Sequence, residues 1–366
     1  MAKPLANALH HRKFAYVKRN TLVAYSVLAT LLLMSGCGTS KPAAVSRAPV
    51  TTAPKPTKLA MAIHVRPVAL SYRWPLTGVV AASAPTQPAL SVKIDNAPAA
   101  RPQSGLNQAD LVFECLVEGG MSRFLAVYQS HGAAELGPIR SARPVDGALL
   151  RALNGGIFAY SGAATGEIAP AKAYSTAFLL SDDAASGPFQ RLTSRYAPEN
   201  LYSSTDRLRA AAAGLLANPG LPGPLFTYGP VVAGSPASRH LSVVLGSSAS
   251  ASWDYDGASY LRSENGTSHL LADGQQVRAT NVVVLRVQVT HSGITDAAGN
   301  EDPFVLAYGS GAAQVFRNGV VENGHWSRPS VSDPYTFTST AGGALTLSPG
   351  PAWIELVPTD GSVSPS

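Results

Sequence analysis

The sequence predicts an α+β fold: an N-terminal α/β portion with a mixed sheet, followed by a β-rich C-terminal portion. Three observations carry this. Hydrophobic residues make up 45% of the chain, enough for a real core, while charged residues are only 14%. Gly (33) and Pro (28) are plentiful, which suits loops and short strands better than a helical bundle. Between residues 90 and 160 apolar runs alternate with one helical stretch. From about 225 onward short strand-like runs are punctuated by Asp-Gly and Asn-Gly turns.

The N-terminus reads as an address. Residues 1–20 hold His10, His11, Arg12, Lys13, Lys18 and Arg19, and residues 21–34 form an apolar run. A membrane-spanning helix needs about 20 apolar residues; this shorter run suits the core of a signal peptide. It ends Leu33-Met34-Ser35-Gly36-Cys37, similar to a bacterial lipobox except for Met34, where Leu, Val or Ile is more usual. The expectation is a signal peptide over 1–36 and lipid on Cys37. The other cysteine, Cys115, lies in an apolar run and reads as a small buried hydrophobe, so a disulfide framework is excluded. Residues 37–73 are basic and rich in Pro and Ala, a flexible spacer.

The net charge of +6 belongs to that leader. Residues 1–76 carry eleven Lys/Arg and no acid, which leaves 17 basic against 22 acidic residues in the rest. The folded part is thus mildly acidic, and no nucleic-acid partner is expected. The positive charge lies where anionic lipid headgroups would attract it.

Two domains are expected, 74–224 and 225–358, with a polar tail over 359–366. Residues 90–94 form a strand ending on Asp95-Asn96. Residues 110–118 and 123–130 form a hairpin around Gly119-Gly120-Met121-Ser122. With Glu118 opposite Arg123, the residues Glu114, Leu116, Glu118 and Arg123 share one face. Phe113, Cys115, Val117 and Phe124 share the other, the better core face. Residues 137–143 make a turn and a short strand. Pro144 opens a helix that runs to about Leu153 and stops at Asn154-Gly155-Gly156. A strand over 157–160 then completes a parallel crossover unit, followed by the polar loop 161–166. Ser204 caps a helix over 205–216. Later strands are expected at 241–245, 252–256, 258–262, 281–289, 304–308, 313–317, 334–338, 344–347 and 352–357. Asp256-Gly257, Asn265-Gly266, Asp273-Gly274, Asn318-Gly319 and Asn323-Gly324 are read as turns between them.

Charged residues are scarce except between 95 and 143, where arginines and carboxylates interleave with apolar runs. Asp95, Asn96, Arg101, Glu114, Glu118, Arg123, Arg140 and Arg143 are the candidate ligand-binding residues. Guanidinium forks suit carboxylate or phosphate. Pairing of these arginines with Asp95, Asp110, Glu114 and Glu118 inside the sheet is the structural alternative. On a straight strand Arg140 and Arg143 point to opposite faces. Asp95, Glu114 and Glu118 are also the candidate acid–base carboxylates of a hydrolase. Glu114 and Glu118, four apart on one strand, are separated by about 13 Å, beyond the about 5–9.5 Å of a glycosidase pair. Ser161-Gly162 lacks the earlier glycine of a nucleophile elbow. The histidines show no metal spacing and no nucleotide fingerprint occurs, so no metal and no cofactor are expected.

These motifs together resemble the YerB-like lipoproteins, a bacterial family whose domain has no established function. The residues that carry the resemblance are Ile94-Asp95-Asn96, Arg101-Pro102-Gln103-Ser104-Gly105, Val117-Glu118-Gly119-Gly120, Arg123-Phe124 and Gly137-Pro138-Ile139-Arg140-Ser141-Ala142-Arg143-Pro144. Arg195, Asn200-Leu201-Tyr202, Tyr260, Arg262, His269, Gly324-His325-Trp326 and Trp353-Ile354 extend it across 75–358. Arg195 and Asn200 thereby join the candidate ligand residues. Glu199 stands where the family more often has His, so no catalytic histidine is implied there. The resemblance implies an extracytoplasmic protein held to the cell membrane by its lipid. The expected function is binding of an anionic or sugar-containing envelope ligand, or of a partner protein. The alternative is a hydrolase of cell-envelope polymers acting through paired carboxylates.

Overall fold

A computed structural model describes residues 71–215, 220–295 and 299–366. The signal peptide, Cys37 and nearly all of the basic spacer lie outside these residues. The described residues belong to one unit, and its fold is α+β and β-rich.

Strands of four or more residues are numbered here in chain order. The N-terminal part supplies β1 (Leu90–Asp95), β2 (Leu111–Leu116), β3 (Ser122–Tyr128), β4 (Ile157–Tyr160) and β5 (Phe178–Ser181). Its helices are α1 (Pro144–Ala152), α2 (Thr165–Tyr174) and α3 (Thr205–Ala212). The C-terminal part supplies β6 (His240–Gly246), β7 (Ala249–Tyr255), β8 (Tyr260–Glu264), β9 (Asn281–Val287), β10 (Val289–Thr295) and β11 (Glu301–Val305). It continues with β12 (Gly309–Arg317), β13 (Val320–Arg328), β14 (Thr336–Ser339), β15 (Ala352–Pro358) and β16 (Ser362–Pro365).

Ten strands make one mixed sheet in the order β14-β13-β12-β9-β15-β2-β3-β1-β4-β5. Its halves come from the two ends of the chain. They meet where β15 runs parallel to β2, Ile354 beside Phe113 and Glu355 beside Glu114. A six-stranded sheet built on β8-β7-β6-β16 packs with α3 against one face, burying Trp253, Tyr260, Leu208, Phe124 and Trp353 together. Helices α1 and α2 cover the other face over Leu125, Val127, Phe158 and Ile354. Both faces of β1 to β3 are therefore buried, and all six residues of β1 are buried.

Several elements follow local chemistry as expected. Ser204 caps α3 by accepting from the Arg207 N–H at 3.2 Å. Helix α1 starts at Pro144, and Asn154 beyond its end takes φ +58°. Asn265-Gly266 and Asn318-Gly319 both adopt positive φ, the two-residue turn that matches strand twist.

Other expectations are corrected. Leu116 pairs with Ser122 and Glu114 with Phe124, because pairing stops at Leu116 and the chain turns through Glu118–Gly120. The register is three residues away from the expected one, and an odd slip exchanges the faces of a strand. Glu114 thus shares a face with Phe124, and Arg123 shares the opposite one with Cys115. Neither face is the single core face. Residues 137–143 form isolated bridges such as Ile94–Ile139 instead of a strand. The parallel partners of β4 are β1 and β5. Asn323-Gly324 sits inside β13, not at a turn: a Cβ on Gly324 would lie 2.3 Å from the Thr338 carbonyl oxygen, so the glycine serves close strand approach. Helix α2 extends beyond the loop read over 161–166, and 344–347 makes only bridges. Ser362–Pro365, read as part of a polar tail, is a strand paired with β6.

Candidate functional site

The charged residues of the centre fall into two networks, one on each face of the large sheet. The assignment follows from β-alternation: Lys93 and Asp95 point to the α1/α2 face, while Asn96, Glu114 and Glu355 point to the second sheet.

On the helical face Glu118 is the hub. It accepts from Arg123 Nη2 at 2.8 Å, from Arg143 Nε at 2.8 Å, and from Arg143 Nη2. Burial alone would raise its pKa. The hydrogen bonds of Arg143 and the charges of Arg123 and Arg143 outweigh that and bring it down to about 2. Asp95 takes Arg140 Nε at 3.0 Å and has Arg123 Nε at 3.6 Å. Arg140 and Arg143 thus join one network through Arg123, which is shared between Asp95 and Glu118, and their segment makes isolated bridges, not a strand. Deeper in, Lys93 Nζ meets Asp146 at 2.7 Å with both side chains fully buried. Cys115 lies 3.6 Å from Lys93 Nζ; burial, stronger than the pull of Lys93, pushes its thiol up to about 11.

On the other face Arg262 is the hub, inaccessible to solvent. It donates to Glu114 at 2.8 and 3.0 Å and pairs with Glu264 at 2.5 Å. Its guanidinium carbon lies 5.0 Å from the Trp353 ring centre, 5.4 Å from Phe124 and 5.9 Å from Trp253. Trp353 Nε1 donates to Glu114 and Trp253 Nε1 to Glu355. Burial and the neighbouring Glu114 charge push Glu355 well above the carboxylate range. Arg262 Nη1 lies 2.6 Å from His269 Nδ1. Guanidinium can only donate, so Nδ1 is the acceptor and the proton sits on Nε2, which donates to Gln103 Oε1 at 2.7 Å. Burial, then the charges of Arg262 and Arg101, hold His269 far below its usual pKa and keep it neutral.

Asn96 links the faces. Its amide donates to Ser122 Oγ and Glu264, its backbone N–H donates to Asp95, and Ser122 Oγ donates to Glu114 at 2.7 Å. This assembly opens to solvent at Arg101, whose Nη1 lies 3.3 Å from Glu264 with the side chain 22% exposed. Arg101, Glu264, Thr267, Ser268, His269 and Leu270 line a cleft of about 580 Å³.

Of the residues picked out in the sequence, Asp95, Asn96, Glu118, Arg123, Arg140 and Arg143 are contiguous, while Glu114 belongs to the opposite face. Arg195 clamps the preceding loop, donating to the carbonyls of Ala99 and Pro102 at 2.7 and 2.8 Å. Asn200 accepts from Arg191 at 2.9 Å, in a two-strand ribbon beside them. Ser161 only donates its backbone N–H to the Arg140 carbonyl. Asp110 is closed off by the N–H groups of Gln129 and Ser130. No carboxylate of the trio Asp95, Glu114 and Glu118 is without an arginine. Among the described residues no group of three or more His, Cys, Asp or Glu is placed to hold a metal ion, and no helix is long and apolar enough to cross a membrane.

Sequence reasoning left out Lys93, Glu264, Glu355, Glu167 and Asp302, and placed Arg262 and His269 only through family motifs. A signal was present. Lys93 and Glu355 are single charges in apolar runs, and Arg262 and Glu264 take the inward phase of an alternating strand.

Two models of one family match the chain. That for "Protein of unknown function (DUF3048) N-terminal domain" covers 76–217, and that for its C-terminal domain covers 241–354. The cleft draws residues from both. "Putative lipoprotein YerB" of Bacillus subtilis (strain 168) is 35% identical over 139 residues, 38% of this chain and 42% of that protein. The chain thus matches less than half the length of that relative. The crystal structure of YerB protein from Bacillus subtilis superposes with a TM-score of 0.67 at 26% identity, covering 80% of this chain and 99% of that one.

Proposed function

We propose, from the premise that this chain belongs to the DUF3048 family, that it is a lipid-anchored extracytoplasmic protein that binds an anionic or sugar-containing envelope ligand without turning it over. The observation that carries the binding reading is the cleft at Arg101. The Arg101 side chain, 22% exposed, lines it, and the exposed side chains of Thr267 and Ser268 flank it above a neutral His269. Arg101 would hold a carboxylate or phosphate, the hydroxyls would meet sugar oxygens, and Leu270 would cover an apolar face. The hydrolase reading draws no support from the geometry. Asp95, Glu114 and Glu118 are each tied to arginine, and Glu114 is inaccessible. A partner protein could occupy the same cleft through an acidic side chain.

Titration calorimetry of the full-length protein in detergent, with acidic and matched neutral oligosaccharides from the cell envelope, tests this. Arg101→Ala should weaken the acidic ligands by roughly 10- to 100-fold, the worth of one charge-assisted hydrogen bond, and leave the unfolding midpoint near wild type. Equal affinity in both proteins would remove Arg101 from the site.

Anchoring rests on Ser35-Gly36-Cys37 after the apolar run and on the name of the relative. Cys37→Ala should release the protein from the membrane fraction or leave an unprocessed precursor. Unchanged size with full detergent-phase partitioning would count against lipidation. A single acyl chain holds only marginally, so the mature protein should carry more than one.

A further inference from the structure

The hairpin of β10 and β11 brings one carboxyl into the helical-face network. Asp302, 2% exposed, lies 3.4 Å from Arg143 Nε, yet neither of its oxygens receives a hydrogen bond. The reason is that Arg143 is already occupied. Its Nε and Nη2 serve Glu118, and Nη1 serves the Ala142 carbonyl and Glu167. Three acids from three elements, Glu118 of the β2–β3 turn, Glu167 of α2 and Asp302 of β11, thus face one guanidinium. Arg123 is shared between Glu118 and Asp95, and Lys93 of β1 is committed to Asp146. Cys115 of β2 is a neutral thiol, while His291 and Glu301, on the hairpin itself, pair with each other at the surface. A buried carboxylate without a donor is costly, and the inexpensive remedy is a proton.

We propose that the β10–β11 hairpin is a proton-controlled element, docked on the sheet while Asp302 is protonated and loosened as the pH rises. Burial, with the charges of Glu118 and Glu167 and against that of Arg143, pushes Asp302 up to about 7. In an opened hairpin the carboxyl returns to its ordinary value of 3.8. The docked state therefore binds the extra proton between these values. Docking weakens as the pH rises through that window and is level above it.

The test is amide hydrogen exchange of the full-length protein in detergent at pH 5 to 8, corrected for intrinsic exchange. The opening constant of the β10 and β11 amides should rise by tens-fold, on the order expected from the linked proton, while β12 amides stay level. Asp302→Asn, neutral and of the same shape, should abolish the rise. Glu167→Gln, which removes one repelling charge, should shrink it. A flat wild-type profile would overturn the proposal, as would an unchanged rise in Asp302→Asn or Glu167→Gln.

Discussion

Arg262→Ala lowers the unfolding free energy by about 3–5 kcal/mol, the cost of stranding a buried charge. Glu114 would lose its two guanidinium hydrogen bonds and Glu264 its 2.5 Å contact, and Glu114 is itself inaccessible to water. The three aromatic rings around the guanidinium would border a cavity. Denaturant melts at neutral pH measure this. The double variant Arg262→Met/Glu114→Gln should recover part of the loss, because it removes both charges and keeps volume. A single-variant loss below about 1 kcal/mol would show that the pair is not the tie between the two sheets.

Arg123→Ala should cost a similar about 3–5 kcal/mol, whereas Arg140→Ala should cost less than about 1 kcal/mol. The residues look equivalent in sequence, and both could be taken for ligand-binding groups that matter little for folding. Arg123 is 4% exposed and serves both Glu118 and Asp95, so its loss leaves two buried carboxylates short of a partner. The Arg140 side chain is 28% exposed and makes one contact through Nε. A pH series separates the roles further. Glu118, held down to about 2 from 4.5, stabilises the fold fully above about pH 4.5, and that stabilisation is lost as the pH falls toward 2. Arg123→Ala should shrink this acid limb, Arg143 still holding Glu118, and Arg140→Ala should leave it unchanged. Equal losses in the two variants would assign both arginines to the framework.

The contrast shows what was legible beforehand. The run Val92-Lys93-Ile94-Asp95-Asn96 declares a strand, Pro144 and Asn154 bracket a helix, and Asn318-Gly319 declares a turn, because each depends on neighbours within a few residues. The concentration of arginine and carboxylate between 95 and 143 was equally plain, as was a polar centre in an otherwise weakly charged chain. Misreadings arose where a local signal met a distant partner. Asn323-Gly324 is a good turn dipeptide, but Thr338 from β14 needs the space a side chain would fill.

By itself, then, the sequence determined the class of fold, most of its strands, and the residue types gathered at its centre. Tertiary structure alone decided which carboxylate meets which arginine. A three-residue change in the β2–β3 register moved Glu114 away from Arg123, and a strand from near the C-terminus placed Glu355 beside it. Arg262, 148 positions away, became its counter-ion. Hydrophobic periodicity is a short-range property of the chain. The pairing of buried charges is set by register and by which sheets stack, and desolvation penalises each charge that is left without a partner.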